Sequence, residues 1–406
     1  MPELSVNSLM PVDAALTRLL DDARLRIAPE TVALSQADAR VLLRDVVAGC
    51  DVPPWDNSAM DGYAVDSRAL HIDTSLMVSQ RIPAGTAPGA LVPGSAARIF
   101  TGAPMPDGAD AVVMQENCRA EGDRVFVSKP VVPGENVRRQ GADVPLGSVL
   151  LRAGHRLRPQ DVGLLAATGQ SSVLVGKRPR VALMATGDEL IEPGQPLWPG
   201  QIYNSNAYML AAMLRVLGID PIDIGRVPDS LAETEAALRH TAQQVDCIIT
   251  TGGVSAGEED HVRAALQRCG RLTLWKLALK PGKPFAYGQI DNTVLFGLPG
   301  NPVSAFVTFL LLVRPALLAM MGATQCSLPE RLERSGFSLP ESGARQEYLR
   351  VCLQGSGGER YLQKLSDQSS GVLSSVSGAD GLAVIPPFTA VEPGDQLRFL
   401  AFNDIV

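Results

Sequence analysis

The chain has 406 residues, of which 36 are Lys or Arg and 43 are Asp or Glu, so its formal net charge is −7. Hydrophobic residues make up 46% and charged residues 19%, which is typical of folded globular proteins and excludes a mainly disordered or coiled-coil chain. The length corresponds to about two to four domains. Because nucleic acids and membrane surfaces attract proteins through a positive field, the acidic balance disfavours both as partners, and an anionic ligand needs a local basic patch.

The cysteines and the first residues indicate the compartment. There are six Cys residues but no Cys-x-x-Cys pair, and the four His residues form no His-Glu-x-x-His motif, so neither a disulfide framework nor a zinc site of these kinds is expected. The first twenty residues lack the basic segment and apolar core of a secretory signal. We therefore expect a reduced, cytoplasmic protein.

Apolar residues at helical spacing predict a helix over 9–25 and a second helix after Ser35. From 52 to about 149, short β-favouring runs separated by turns with Gly and Pro predict a β-rich domain. Helical character returns at 159–171, and residues 176–179 are typical of a joint between domains.

Beyond this joint, strands alternate with helices, which predicts a parallel sheet covered by helices on both faces. The expected strands are VALMAT (181–186), PIDIGRV (221–227), VDCIIT (245–250), LTLWKLAL (272–279) and TVLFGL (293–298). The expected helices lie near 205–217, 230–243 and 260–268, and after Pro302. From about 329 onward, short apolar runs among Ser and Gly predict a small β domain.

The apolar stretch 305–322 raises the question of a membrane span. It contains Arg314 and Pro315 at its middle, where a charge is costly in a bilayer. A buried helix is therefore expected. The fold class is multidomain α/β plus β, with a central three-layer α/β/α parallel-sheet domain, a β-rich inserted domain and a small β-barrel-like domain at the C-terminus.

In open parallel sheets, ligands bind beyond the carboxyl ends of the strands. The first loop there, Thr186–Glu189, carries two carboxylates, although an Asp helix cap would also explain it. The second, Thr251–Asp260, contains glycines that let the backbone approach a ligand, and free N–H groups at the next helix favour an anion. Its three acids suit the helix dipole without any function, or a divalent cation held by Asp260.

The second loop also contains Gly-x-Ser-x-Gly, with Ser255 in the nucleophile position of a hydrolase elbow. An α/β-hydrolase needs an acid and then a His later in the chain. The last His in the sequence is His261, which is too close to Ser255 for that order. The serine-hydrolase hypothesis is therefore rejected.

The third loop is basic. Between 271 and 290 there are one Arg and three Lys residues but no Asp or Glu, and the turn Lys280–Pro284 presents ammonium groups suited to an oxyanion. A proline after Lys283 excludes a Walker A loop, and a solvated charged turn is the alternative. In the fourth loop, Asn301 and Pro302 have the pattern of a helix start, which does not prevent the loop from donating N–H groups to a ligand.

In the β-rich half, Asp61 lies in DNSAMDGYAV, Thr101 in RIFTGAPMP, and Arg138 and Asp143 in RRQGADV. Local sequence favours plain turns at all three places. The paired arginines beside an acid also suit a phosphate site.

Seven segments follow one another along the chain: DNSAMDGYAV, RIFTGAPMP, RRQGADV, ATGDEL, TTGGVSAGEEDH, KLALKPGKPFAYG and GLPGNPVSAF. Together they resemble the signature segments of the molybdopterin molybdenumtransferase family, the MoeA type, to which the gephyrin E domain belongs. The resemblance implies an elongated homodimer of four-domain subunits, whose third domain is of the molybdopterin-binding type shared with molybdopterin adenylyltransferases. The expected domains are 1–50 with 141–178, 51–140, 179–327 and 328–406.

The activity that the resemblance implies is insertion of molybdenum, from molybdate, into adenylylated molybdopterin with release of AMP. This is the last step of molybdenum cofactor biosynthesis, and it implies a divalent cation such as Mg²⁺ and a molybdopterin adenylyltransferase as upstream partner. One alternative is that adenylyltransferase activity itself, which needs only the single α/β domain. The other is a non-catalytic scaffold like the gephyrin E domain, against which the retained acidic positions argue.

The resemblance implies catalytic roles for Asp61, Glu189, Asp229, Asp260, Lys276 and Lys280, with Asp61, Glu189 and Asp260 holding the metal ion. Substrate binding is expected at Thr101, Arg138, Asp143, Thr186, Gly252, Gly253, Ser255, Lys283, Pro299, Gly300, Asn301, Arg350 and Ser370. Ammonium groups neutralise the anionic reactants, and carboxylates hold the cation.

Overall fold

The computed structural model describes residues 9–24, 26–71, 74–254, 261–355 and 360–405. The first helix is Val12–Arg24. Its face of Val12, Ala15 and Leu19 packs against Arg314–Met320, the last part of a long helix. Those residues recur every three or four positions, which is why the helix was predictable.

The second predicted helix is wrong. Residues 34–36 form a single 3₁₀ turn, and the chain then runs to the short strand Val46–Val47. Leu42 bridges to Val175 and is fully buried there. Pairing with a distant segment has therefore overridden a local helical spacing.

Segments from both ends of the first 178 residues form one region. Pro29–Ala33 pairs antiparallel with Ser172–Gly176, and Val46–Val47 pairs with Val149–Leu151. The helix Pro159–Ala167 packs beside them. The chain thus leaves this region after Val47 and returns to it at Val149.

Between those points lies a six-stranded sheet with a short ladder beside it. The strand order is Ala111–Met114, Gly62–Val65, Ser95–Ile99, Ser75–Ile82, Arg124–Val127 and Cys118–Glu121. Gly62 is required in its strand, because a Cβ there would lie 1.9 Å from the carbonyl oxygen of Val113. The separate ladder pairs Asn57–Ser58 with Val137–Arg138.

The α/β region contains a second six-stranded sheet. Its order is Ile222–Val227, Val181–Thr186, Cys247–Thr251, Thr293–Leu298, Ala286–Ile290 and Arg271–Trp275. The first four strands are parallel, as expected, but Ala286–Ile290 is antiparallel to both neighbours. The sheet is therefore mixed, and a tight turn joins the antiparallel neighbours Ala286–Ile290 and Thr293–Leu298.

Helices cover both faces of this sheet. Val181 and Leu183 pack in one core with the helix Ser205–Val216, whereas Ala182 and Met184 pack in another with the helices Leu231–Ala242 and His261–Cys269. Alternate residues of one strand thus face opposite layers, which confirms the three-layer prediction.

The predicted strand 272–279 is divided between two sheets. Only Arg271–Trp275 belongs to the α/β sheet. Lys276 has φ +70 and turns the chain away, and Leu279–Lys280 then pairs in parallel with Gln346–Glu347. The apolar pattern could not distinguish two sheets that share one run of residues.

The apolar stretch forms one continuous helix, made of Pro302–Thr308, a π-helical turn Phe309–Val313 and Arg314–Met320. Its length and apolar character match those of a membrane span, but 94% of it is buried inside the protein. Arg314 is buried too and donates a hydrogen bond to the Cys326 carbonyl oxygen at 2.9 Å, while burial lowers its pKa to about 10. The prediction of a core helix is confirmed.

The C-terminal segment forms a closed five-stranded barrel. Around it the order is Arg331–Ser335, Gln396–Ala401, Gly381–Ile385, Gln346–Gln354 and Tyr361–Lys364, which pairs back to Arg331–Ser335. Leu349, Val351 and Phe399 fill its interior. This confirms the β-barrel-like prediction and completes the expected fold class.

Candidate active site

Two adjoining cavities, of about 640 and 280 Å³, lie at the carboxyl ends of the parallel strands. Both are lined by Thr186, Glu189, Gly252, Pro284, Pro299 and Gly300. Five of these residues belong to the first, second and fourth predicted loops, which follow three neighbouring strands of the sheet. The sixth, Pro284, ends the third, basic loop. The rule that ligands bind where such loops converge therefore locates the candidate site.

The glycines of the second loop allow close backbone packing. Gly252 and Gly253 have φ of +89 and +66, and a Cβ at Gly252 would lie 2.6 Å from the carbonyl oxygen of Thr186. Larger residues would therefore push this loop away from the neighbouring strand. Ser255 and Asp260 lie outside the described residues, so their assigned roles stay predictions.

Two of the predicted carboxylates line the smaller cavity, Glu189 and Asp229. Asp229 accepts a hydrogen bond from the backbone N–H of Asp188 at 3.0 Å, and so it holds the first loop in place. Glu189 folds over Gly187, where a Cβ would lie 2.6 Å from the Glu189 carboxylate. Among the described residues, no cluster of three or more His, Cys, Asp or Glu has the arrangement of a metal site.

Asn206 is a site residue that the sequence analysis missed. Its Nδ2 donates to Thr251 Oγ1 and to the Gly300 carbonyl oxygen, each at 2.8 Å, so it ties two ligand loops together. Its Oδ1 is buried without a hydrogen-bond partner among the described residues, as is Thr186 Oγ1, and both residues line the larger cavity. Two Asn residues lie at this helix start. Asn204 caps the helix by accepting a hydrogen bond from the Ala207 N–H, so capping does not explain Asn206.

The basic loop borders the cavities through Pro284, which directly follows Lys283. Lys283 is exposed. Lys280 donates from Nζ to Glu347 Oε1 at 3.0 Å, so the C-terminal barrel contacts this loop. Lys276 turns the chain between the two sheets, and its backbone N–H donates to the Phe285 carbonyl oxygen.

The barrel side also supplies part of the larger cavity, through Gly371 and Leu373. Asn301 stands at the helix start, but its side chain makes no cap and donates instead to Ser370 Oγ at 2.9 Å. Arg350 is 1% exposed and donates to the Ser369 carbonyl oxygen at 3.0 Å. Arg350 therefore stabilises the loop that contains Ser370 through its hydrogen bond to Ser369.

The predicted residues of the β-rich half do not line the cavities. Asp61 accepts hydrogen bonds from the backbone N–H of Thr101 at 2.7 Å and from its hydroxyl at 2.8 Å, and these bonds hold the pKa of the Asp61 carboxyl below its usual value. Arg138 pairs with Asn57 in the short ladder beside the sheet, and Asp143 is exposed. Within the described part of the chain, none of the four lines either cavity or bonds to a residue that does.

A further depression of about 300 Å³ lies at the opposite ends of the same strands, lined by Arg26, Lys177, Arg178 and Asp246 among others. It contains none of the predicted site residues. Its one acid, Asp246, is already bonded to Arg180 at 3.0 Å. The carboxyl-end cavities therefore remain the candidate active site.

Comparison with known proteins identifies the family of the chain. Three family models match in series: the MoeA N-terminal region (domain I and II) over 10–169, a probable molybdopterin binding domain over 182–319, and the MoeA C-terminal region (domain IV) over 334–402. The molybdopterin molybdenumtransferase of Haemophilus influenzae is 41% identical over 98% of this chain and 100% of its own. The chain belongs to the molybdopterin molybdenumtransferase, or MoeA, family.

Other relatives support the same assignment. The molybdopterin molybdenumtransferase of Bacillus subtilis is 34% identical over 97% of this chain and 94% of its own. The crystal structure of the molybdopterin biosynthesis moeA protein from Pyrococcus horikoshii matches with a TM-score of 0.79 at 32% identity, covering 97% of this chain and 100% of that one. In this MoeA-family chain, the segment matched as the molybdopterin binding domain contains the loops from Thr186 to Asn301 that line both cavities.

Proposed function

We propose that this protein inserts molybdenum into adenylylated molybdopterin and releases AMP, as the last step of molybdenum cofactor biosynthesis. The observation that carries the proposal is the near full-length identity to proteins named molybdopterin molybdenumtransferase. The cavities at the carboxyl ends of the strands provide a place for such a ligand. The proposal includes the four-domain division 1–50 with 141–178, 51–140, 179–327 and 328–406.

The polar groups of the larger cavity suit a pterin. No Lys or Arg is among its described lining residues, and Glu189 is the one charged side chain there. The buried oxygens of Thr186 and Asn206 have no hydrogen-bond partner in the described part of the chain, so they can accept hydrogen bonds from ligand N–H groups, which offsets their cost of burial. The anionic phosphates and molybdate then belong with the ammonium groups of Lys280 and Lys283, which neutralise their charge.

A divalent cation fits the donor chemistry of the smaller cavity. Glu189 and Asp229 line it together, and carboxylate oxygens are the ligands that Mg²⁺ prefers. We assign Mg²⁺ to Glu189 together with Asp260 and Asp61, because Asp229 already holds the Asp188 N–H. When bound, the cation would polarise phosphate oxygens.

Assembly as a homodimer would bring Asp61 to the cavities. Beside the larger cavity the chain exposes an apolar cluster formed by Leu197, Trp198, Ile202, Tyr203 and Tyr208. Trp198 is 71% exposed, and an apolar patch of this kind is typical of a protein interface. We propose that a second protomer covers this cluster and supplies Asp61 and Thr101. In the proposal the protein is cytoplasmic and receives its substrate from a molybdopterin adenylyltransferase.

The test is to incubate the protein with adenylylated molybdopterin, Mg²⁺ and molybdate, and to measure AMP and molybdenum cofactor. We expect both products. Asp61→Ala and Asp260→Ala should keep the circular dichroism and melting temperature of the parent and stop AMP release. A scaffold would release neither product, an adenylyltransferase would consume ATP instead, and normal turnover by either variant would refute the assigned roles.

A further inference from the structure

The basic loop is held by segments from two distant parts of the chain. On one side, the Met10 N–H donates to the Lys276 carbonyl oxygen at 3.2 Å, and the Ala278 N–H donates to the Met10 carbonyl oxygen at 2.8 Å. On the other side, the Gln346 N–H donates to the Ala278 carbonyl oxygen at 3.0 Å. The backbone before Lys280 is therefore fixed from both edges.

Among the described residues, the carboxylate of Glu347 fixes the side chain of Lys280. Lys280 and Glu347 are direct partners across the parallel strand pair, and Nζ lies 3.0 Å from Glu347 Oε1. The Glu347 side chain is 8% exposed, whereas the Lys280 side chain is 52% exposed. A carboxylate so deeply buried needs a charged partner, and Lys280 is the partner that the structure provides.

We infer that Glu347 is a positioning residue for oxyanion binding, an inference that rests on the role of Lys280 in the proposed function. An ammonium group has three N–H donors. One N–H donor of Lys280 is directed at Glu347, which leaves two donors for an oxyanion. The same hydrogen bond already restricts the rotation of the Lys280 side chain, so less conformational entropy is lost when the oxyanion binds. The C-terminal barrel thereby prepares the basic loop for its ligand.

Removal of Glu347 has two opposing electrostatic consequences. The loss of a negative charge strengthens the positive potential, which favours an anion. The loss of the hydrogen bond lets Lys280 rotate into solvent. Since the charge of Glu347 is already neutralised by Lys280 at 3.0 Å, we expect the loss of position to dominate.

The experiment measures molybdate binding by equilibrium dialysis, and AMP release in parallel, for the full chain. We expect Glu347→Ala to weaken molybdate binding about tenfold and to raise the KM for molybdate by the same factor with little change in kcat. Glu347→Gln, which keeps an acceptor oxygen, should recover part of the loss. Combining Glu347→Ala with Lys280→Met should be no worse than Lys280→Met alone, because both changes remove one interaction.

The barrel offers a matched control in Glu333, which is also buried and paired with a half-exposed cation, Arg360. Glu333→Ala should lose similar stability and bind molybdate like the parent. If the parent binds molybdate and Glu347→Ala binds it equally or more tightly, the inference is wrong whether or not AMP is released. If the parent binds molybdate but releases no AMP, the proposed function fails, and the ratio of binding constants still decides the role of Glu347. A parent that does neither overturns both.

Discussion

Two variants that are inactive alone should regain activity when mixed. Asp61→Asn and Glu189→Gln each remove one carboxylate charge with almost no change of volume. Asp61 lies in the β-rich sheet with Thr101 and does not line the cavities, whereas Glu189 lines both. If one active site takes Asp61 from one protomer and Glu189 from the other, a mixed dimer contains one site with both substitutions and one site with neither.

The expected recovery follows from this arrangement. Random association of equal amounts gives about half mixed dimers, and one of the two sites in each is intact, so the mixture should reach about one quarter of the parent AMP release. Glu189→Gln mixed with Asp229→Asn is the matched control. Both of those residues line the same cavity, so every site keeps one defect and no recovery is expected.

The assay needs proof that mixed dimers form. The two variants are co-expressed with different affinity tags, purified over both columns, and assayed for AMP release from adenylylated molybdopterin. Doubly tagged dimers should show about half the parent rate per dimer. Doubly tagged dimers without activity, or a chain that elutes as a monomer with full activity, would refute the shared site.

Three further predictions concern single residues. Burial alone would raise the pKa of Asp161, but hydrogen bonds from Arg158 and His155 outweigh burial and lower that pKa to about 2. The stabilisation by the charged carboxylate is thus complete above about pH 4 and lost as the pH falls toward 2. In urea titrations, Asp161→Asn should reduce the free energy of unfolding by about 1–2 kcal/mol at pH 7 and make it depend less on acid pH. Gly62→Ala should strongly lower the melting temperature because of its contact with Val113, whereas Gly163→Ala, in a helix with open space around it, should leave it unchanged or raise it slightly; equal melting temperatures would contradict the assigned backbone contact. Asn206→Ala removes the donor that ties Thr251 Oγ1 to the Gly300 carbonyl oxygen and should weaken molybdopterin binding 10- to 100-fold, about 1–3 kcal/mol, in a fluorescence titration. Unchanged affinity would remove Asn206 from the site.

Local patterns predicted the elements that bury one regular face. The helix Val12–Arg24 and the strand Val181–Thr186 follow directly from apolar spacing, and the rule for parallel sheets placed Thr186 and Gly252 at one edge. The same rule could not place Asp61, because no periodicity relates it to that edge, and its predicted role came from family resemblance alone.

Predictions of secondary structure failed where a residue pairs with a distant segment of the chain. The run 272–279 is mostly apolar, yet its end pairs with the barrel strand Gln346–Gln354, whose Gln346 N–H donates to the Ala278 carbonyl oxygen. The residues after Ser35 have helical spacing, but Leu42 bridges to Val175, Val41 bridges to Arg156, and Val46–Val47 pairs with Val149–Leu151. The contact of Lys280 with Glu347 depends on which distant strands pair. The complete fold determines that pairing, and the local sequence of either segment does not.

The attachment of the basic loop to Met10 on one side and to Gln346 on the other also sets an order of events during synthesis. Met10 and Lys276 leave the ribosome before Gln346 and Glu347, so an unfinished chain contains every cavity-lining loop of the α/β sheet but lacks the strand that fixes Lys280. Domains generally fold as units as they emerge. The proposed oxyanion side of the site therefore matures last, and a chain truncated before the barrel should fold its sheet with its basic loop held only at the Met10 edge and with Lys280 free of Glu347.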